Sequence, residues 1–133
     1  GNEFSNVILV SYLFVDDKVD QSNYNPFYSD VYIHDNSYTR TGNLNPEQNG
    51  TNAFLANFLS NYGFDQPDIL LDGITAGGGI CIFEAVGTTF VNVEALTLNT
   101  STGEGNPNDN LSKFTCQGEE LAPVEFEPYA ATL

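Results

Sequence analysis

A mainly β domain, folded as an antiparallel β-sandwich or small barrel with one short helix over about residues 52–62, is the fold class that the sequence predicts. Three observations predict it. Short apolar segments rich in Val, Ile, Phe and Tyr recur along the chain, clusters of Gly, Pro, Asn and Ser separate them, and a single segment carries helical periodicity. Helical patterns do not alternate with strands, which argues against a βαβ fold. With 133 residues, 41% of them hydrophobic, the chain suits a single domain over 1–133.

The elements follow in order. Val7 to Val15 (VILVSYLFV) is apolar on both faces, as a strand covered on both sides requires. Phe27 to His34 alternates, with Phe27, Ser29, Val31 and Ile33 on one face and Tyr28, Asp30, Tyr32 and His34 on the other. Asn52 to Tyr62 repeats apolar residues at helical spacing through Phe54, Leu55, Phe58, Leu59 and Tyr62; Thr51 and Asn52 are capping candidates and Gly63 follows as the C′ residue. Asp68 to Ile74 and Gly79 to Val86, joined by Thr75 to Gly78, read as a hairpin. Thr88 to Asn99, Leu111 to Gln117 and Val124 to Tyr129 complete the expected strands, Pro128 favouring an edge for the last. Asn99 to Asn110 reads as a long polar loop, and no internal repeat is visible.

Charge narrows the partners. Eighteen acidic residues stand against Lys18, Arg40 and Lys113, a formal net charge of -15, so no basic patch exists to attract a phosphate backbone or an anionic membrane surface. The longest apolar run is far shorter than the roughly 20 residues a membrane helix needs. It also lacks the basic flank of a signal peptide, so the chain is expected to be mature, with no membrane insertion.

Cys81 and Cys116 have apolar neighbours and no C-x-x-C or His-Cys grouping, so they are expected to form a buried disulfide closing a loop of roughly 35 residues, worth about 3 to 4 kcal/mol. Two reduced thiols are the alternative. Three glycosylation sequons, at Asn49, Asn99 and Asn110, lie in turn-rich stretches and fit a secreted or cell-surface protein.

No catalytic residue is expected. The Gly77-Gly78-Gly79 run lacks the spacing of a phosphate-binding loop, His34 is the only histidine, and no nucleophile elbow is present. Glu84 and Glu94 are the pair that a small secreted carboxylate hydrolase would use, but solvated strand carboxylates are the better reading of them. No cofactor is expected apart from Ca²⁺, for which Asp16, Asp17, Asp20, Asn108 and Asp109 are weak candidate ligands without EF-hand spacing. Tyr28, Asp30, Tyr32 and His34, with Tyr24, Asn36 and Tyr38 nearby, form a candidate binding face on which rings about 7 Å apart could stack a sugar or an extended chain.

The expected function is a non-enzymatic secreted structural or adhesive protein. It would form an extracellular filament or surface layer through Val7, Ile8, Leu9, Val10, Tyr12, Leu13 and Phe14, completing either its own sheet or that of a neighbouring copy. The alternative is a lectin-like or protein-binding module using the tyrosine face. The partners implied are copies of the chain, another extracellular protein or a glycan.

Overall fold

The computed structural model describes residues 5–12, 20, 22–39, 51–75 and 79–116. Its strands are β1 (Val7–Leu9), β2 (Val31–His34), β3 (Ile69–Leu71), β4 (Ile80–Phe83) and β5 (Phe90–Asn92), and an α-helix, α1 (Thr51–Asn61), lies between β2 and β3. They form a three-stranded sheet in the order β1-β3-β5 and a two-stranded sheet of β2 and β4, and every strand pair is parallel. The expected antiparallel sandwich or barrel is therefore wrong: neither sheet closes and no antiparallel strand pair is present among the described residues. The hairpin expected between Asp68 to Ile74 and Gly79 to Val86 does not form, because β3 and β4 belong to different sheets.

The chain visits the two sheets alternately. Each return pairs in parallel with the preceding pass, Val7 on Ile69 and Ile69 on Phe90 in one sheet, Val31 on Ile80 and Ile33 on Ile82 in the other. A last parallel bridge, Ile82 to Thr115, carries the second sheet one pass further. Such alternation winds the chain in stacked coils, in which each pass is held chiefly by its neighbours.

Two apolar layers result. Between the sheets lie Ile33, Ile69, Leu71, Ile82 and Phe90, with Val7, Leu9, Val31, Ile80, Leu111 and Phe114 packed against them. On the outer face of the three-stranded sheet, Ala56, Phe58 and Leu59 of α1 cover Leu70, Val91 and Val93. This second layer explains why Ile69, Leu70 and Leu71 are all buried, in the continuous apolar run of a parallel strand covered on both faces. Burying a side chain such as Leu59 contributes about 1.5 to 3 kcal/mol.

The helix ends as expected from Gly63. Its φ is +78°, Phe64 N–H donates to the Leu59 carbonyl at 2.9 Å and Gly63 N–H to that of Ser60 at 3.0 Å. These are the two bonds of a Schellman motif, with Phe64 packed on the cluster that contains Leu59.

Other expected strands are shorter than their apolar runs. Among its described residues the first is strand over Val7–Leu9; Ala95–Thr97 and Leu111–Lys113 are 3₁₀ turns, and Leu13 to Val15 and Val124 to Tyr129 lie outside the described residues. Carboxylates hold the corners between sheets. Buried Asp72, just after β3, accepts bonds from Ser11 N–H at 2.6 Å, Ile74 N–H at 2.9 Å and the Tyr28 hydroxyl at 2.9 Å. Glu84, just after β4, accepts from Asn36 N–H at 2.9 Å and the Tyr38 hydroxyl at 2.7 Å.

Candidate binding surface

Alternation along β2 sends Val31 and Ile33 into the core and places Tyr32 and His34 on the outer face of the two-stranded sheet. There the two rings stack, with centroids 4.2 Å apart and planes 22° from parallel. The paired strand β4 repeats the pattern. Ile80 and Ile82 face inward, while Cys81 stands beside Tyr32 and Phe83 beside His34. Phe83 is 48% exposed, so the two strands present a ledge of Tyr32, His34 and Phe83 with the disulfide on the side of Cys81.

The expected face is thus partly assembled and partly broken up. Tyr32 and His34 stand together. Tyr28 does not join them, because Asp30 between them has a left-handed φ of +54° that interrupts the alternation. Tyr28 instead bridges to Thr75 and bonds Asp72 in the corner. Burial first, then the charge of Asp72 and the hydrogen bond to it, holds its phenol well above the ordinary tyrosine range. Asp30 is exposed at one end of β2, and Asp35, with a φ of +52°, is exposed at the other, 3.0 Å from His34 Nδ1.

Of the residues expected nearby, Tyr24 packs edge-on against Tyr12, and Asn36 and Tyr38 are held by Glu84. Burial and then the Glu84 hydrogen bond raise the Tyr38 phenol as well. Phe83 was not among the expected residues. Its signal was present: Ile80-Cys81-Ile82-Phe83 alternates, and once Ile80 and Ile82 are assigned to the core, Phe83 must face out.

Cys81 and Cys116 are joined, with Cα atoms 5.3 Å apart. Both are half-buried, not buried as expected, because Cys81 lies on the outer face of its sheet. The bond ties the segment after Leu111–Lys113 to β4 beside the Ile82 to Thr115 bridge.

The remaining expected sites are dispersed. Glu84 and Glu94 follow strands of different sheets, and each is engaged locally: Glu84 by Asn36 and Tyr38, Glu94 by the Asn92 and Asn108 amides at 2.9 and 3.3 Å. Of the calcium candidates, Asp16 and Asp17 lie outside the described residues. Exposed Asp20 closes a turn on Ser22 and Asn23, whose bonds hold its carboxyl below the usual range. Asn108 turns its amide to Glu94, and Asp109 is exposed. No group of three or more His, Cys, Asp or Glu side chains converges among the described residues.

Asn99 and Asn110 are both exposed, and each accepts backbone N–H bonds from its own turn; Asn49 lies outside the described residues. Of the expected assembly strand, Val7 and Leu9 face the core, while Ile8, Val10 and Tyr12 are 45%, 42% and 45% exposed. Ile8 lies in register with Leu70 and Val91, which α1 covers. Leu13 and Phe14 lie outside the described residues.

Comparison of the chain with protein-family models, with curated proteins and with solved structures finds no match.

Proposed function

We propose that the chain is a non-catalytic binding module of the cell exterior that takes a glycan on the ledge of Tyr32, His34 and Phe83. The observation that carries the reading is the stacked Tyr32 and His34 pair beside half-exposed Phe83. Aromatic faces held in place on a sheet bury the C–H face of a sugar ring at little entropic cost. Asp30 and Asp35, exposed at the two ends of the strand, supply acceptors for its hydroxyls. The disulfide and the exposed sequon at Asn99 agree with an extracellular setting.

A glycan array followed by calorimetry tests the reading. Tyr32→Ala with Phe83→Ala should abolish binding while leaving the thermal midpoint nearly unchanged. A wild-type chain that binds no glycan, or a double variant that binds as well as wild type, rejects it.

A second reading, assembly with copies of the same chain, has its own support in the first coil. β1 pairs with β3 and β2 with β4, and neither has a second strand partner among the described residues. Ile8 on β1 is 45% exposed, and the exposed Val10 and Tyr12 follow the strand. A coil stacked there by another copy would be a head-to-tail contact, which extends instead of closing. β1 already completes its own sheet, so this assembly needs no strand exchange. Sedimentation over a range of concentrations decides it: a monomer throughout, unchanged by Ile8→Lys with Val10→Lys, excludes assembly through this edge.

A further inference from the structure

On the glycan reading of the ledge, the polar groups around its rings decide which class of sugar it takes. Asp35 Oδ2 lies 3.0 Å from His34 Nδ1. An ionised carboxylate only accepts, so Nδ1 carries the ring proton and donates it to Asp35. In the neutral imidazole Nε2 is then an acceptor. It has no hydrogen-bond partner among the described residues and is not sealed from solvent, and the His34 side chain is 37% exposed. A ligand on the ledge therefore meets this lone pair directly.

Carboxylates stand at both ends of the rings. Asp30 is exposed at one end of β2 and Asp35 at the other, and Glu84 follows Phe83 directly. The Asn36 side-chain amide, the nearest neutral donor to His34, is already turned to Glu84 and to the His34 carbonyl. No lysine or arginine occurs from Asp30 to Asn36 or from Gly79 to Glu84, and the chain as a whole carries a net charge of -15. The surroundings of the ledge are thus rich in acceptors and negative charge.

We propose that the ledge selects neutral, hydroxyl-rich glycans over carboxylated ones, with His34 Nε2 accepting a sugar hydroxyl and Asp30 and Asp35 turning acidic sugars away. The proposal rests on the glycan reading and adds the class of glycan to it. A hydroxyl donates, so it meets Nε2 and the carboxylates alike. A sugar carboxylate has no proton to give; it faces the Nε2 lone pair and the like charges of Asp30 and Asp35 within the field of an acidic chain. Asp35 acts partly as a positioning residue, because it keeps the ring proton on Nδ1. Exposed charges are screened by salt, so the discrimination expected is severalfold, not absolute.

An array of neutral oligosaccharides and their uronate counterparts tests it on the full chain. Cellotetraose with its glucuronate form and β-linked mannotetraose with its mannuronate form are among the pairs, and calorimetry follows on each pair that binds. The measurements are made at about pH 8.5, above the range in which histidine is ordinarily charged. The neutral member should bind at least roughly fivefold more tightly than the acidic one. Asp30→Asn with Asp35→Asn should narrow that ratio, and because both residues are exposed the double variant retains the fold. His34 is the only histidine, so its imidazole nitrogen resonances report the tautomer without ambiguity. They should show Nδ1–H in the wild-type chain and a shift of the proton toward Nε2 in Asp35→Asn. An acidic member that binds as well as the neutral one, a ratio unmoved by the double variant, or a wild-type ring protonated on Nε2 overturns the proposal and leaves the glycan reading standing. Failure of every glycan on the array to bind rejects the glycan reading itself, and the proposal with it.

Discussion

Tyr28 donates its hydroxyl to the buried carboxylate of Asp72 at 2.9 Å, across 44 positions of sequence, and the same carboxylate accepts the Ser11 N–H from 61 positions away. One side chain thus joins the segments that follow β1 and precede β2 to the corner after β3. Removing it leaves three donors short of a partner in a site that water scarcely reaches.

Asp72→Ala is therefore expected to cost roughly 3 kcal/mol or more, and Tyr28→Phe about 1 kcal/mol, since the carboxylate keeps its two backbone donors. Urea unfolding of both variants measures the difference. Equal, negligible losses would show that this corner does not hold the coils together.

Gly73, in the same corner, has a φ of +78°, and a Cβ there would meet Asn92 Oδ1 at 2.5 Å. Gly87 has a φ of +100° and nothing within 4 Å. Gly87→Ala should cost only backbone strain, about 1 to 2 kcal/mol, and Gly73→Ala should cost more because Asn92 must also move. Thermal midpoints of the pair give the comparison, and the reverse order would contradict this packing.

Ionisation of Tyr28 and Tyr38 is opposed by burial and by the carboxylates they bond, so both phenols titrate above the ordinary value of 10.0. The neutral form is the one the fold favours. Its contribution is fully present below the unfolded value and is lost as pH rises past it toward the raised folded values. Stability should thus fall in alkali above about pH 10. Tyr28→Phe and Tyr38→Phe should each flatten that fall, and phenolate absorbance should rise in step with unfolding. Two phenols that ionise freely in the folded chain would contradict it.

Reduction of the Cys81–Cys116 bond, or Cys81→Ser with Cys116→Ser, should cost about 3 to 4 kcal/mol by freeing the enclosed loop. Hydrogen exchange should quicken first around Thr115 and the Ile82 bridge, where the last pass meets β4. Exchange that quickens first in β1 instead would place the weak point at the other end of the coils.

Removing residues 1–15 takes away Val7 and Leu9 from the core and the Ser11 donor from Asp72. The truncated chain should lose several kcal/mol, since each buried aliphatic side chain contributes about 1.5 to 3 kcal/mol. Circular dichroism with added N-terminal peptide checks this. A truncated chain that stays fully stable would mean that β1 is dispensable to its own sheet.

What the sequence determined by itself is what depends on neighbours a few positions away. The helix with Gly63 at its end, the cores of most strands and the outward pairing of Tyr32 with His34 follow from spacing and from the conformational freedom of one glycine. The disulfide follows from having two cysteines to pair. Strand direction and the joining of passes were decided only in the tertiary structure. In the three-stranded sheet the first step spans 62 positions, Asn6 to Asp68, and the next only 21, Asp68 to Thr89, because α1 and its flanking segments are inserted in one coil and not in the other. Coils so unequal leave no repeat to read, and the three-residue strands of this sheet leave too little alternation to reveal that α1 covers its outer face. Asp30 shows the same limit. Nothing in the local pattern announces the left-handed turn that carries Tyr28 from the ledge to Asp72, because it arises where segments distant in sequence are brought into contact.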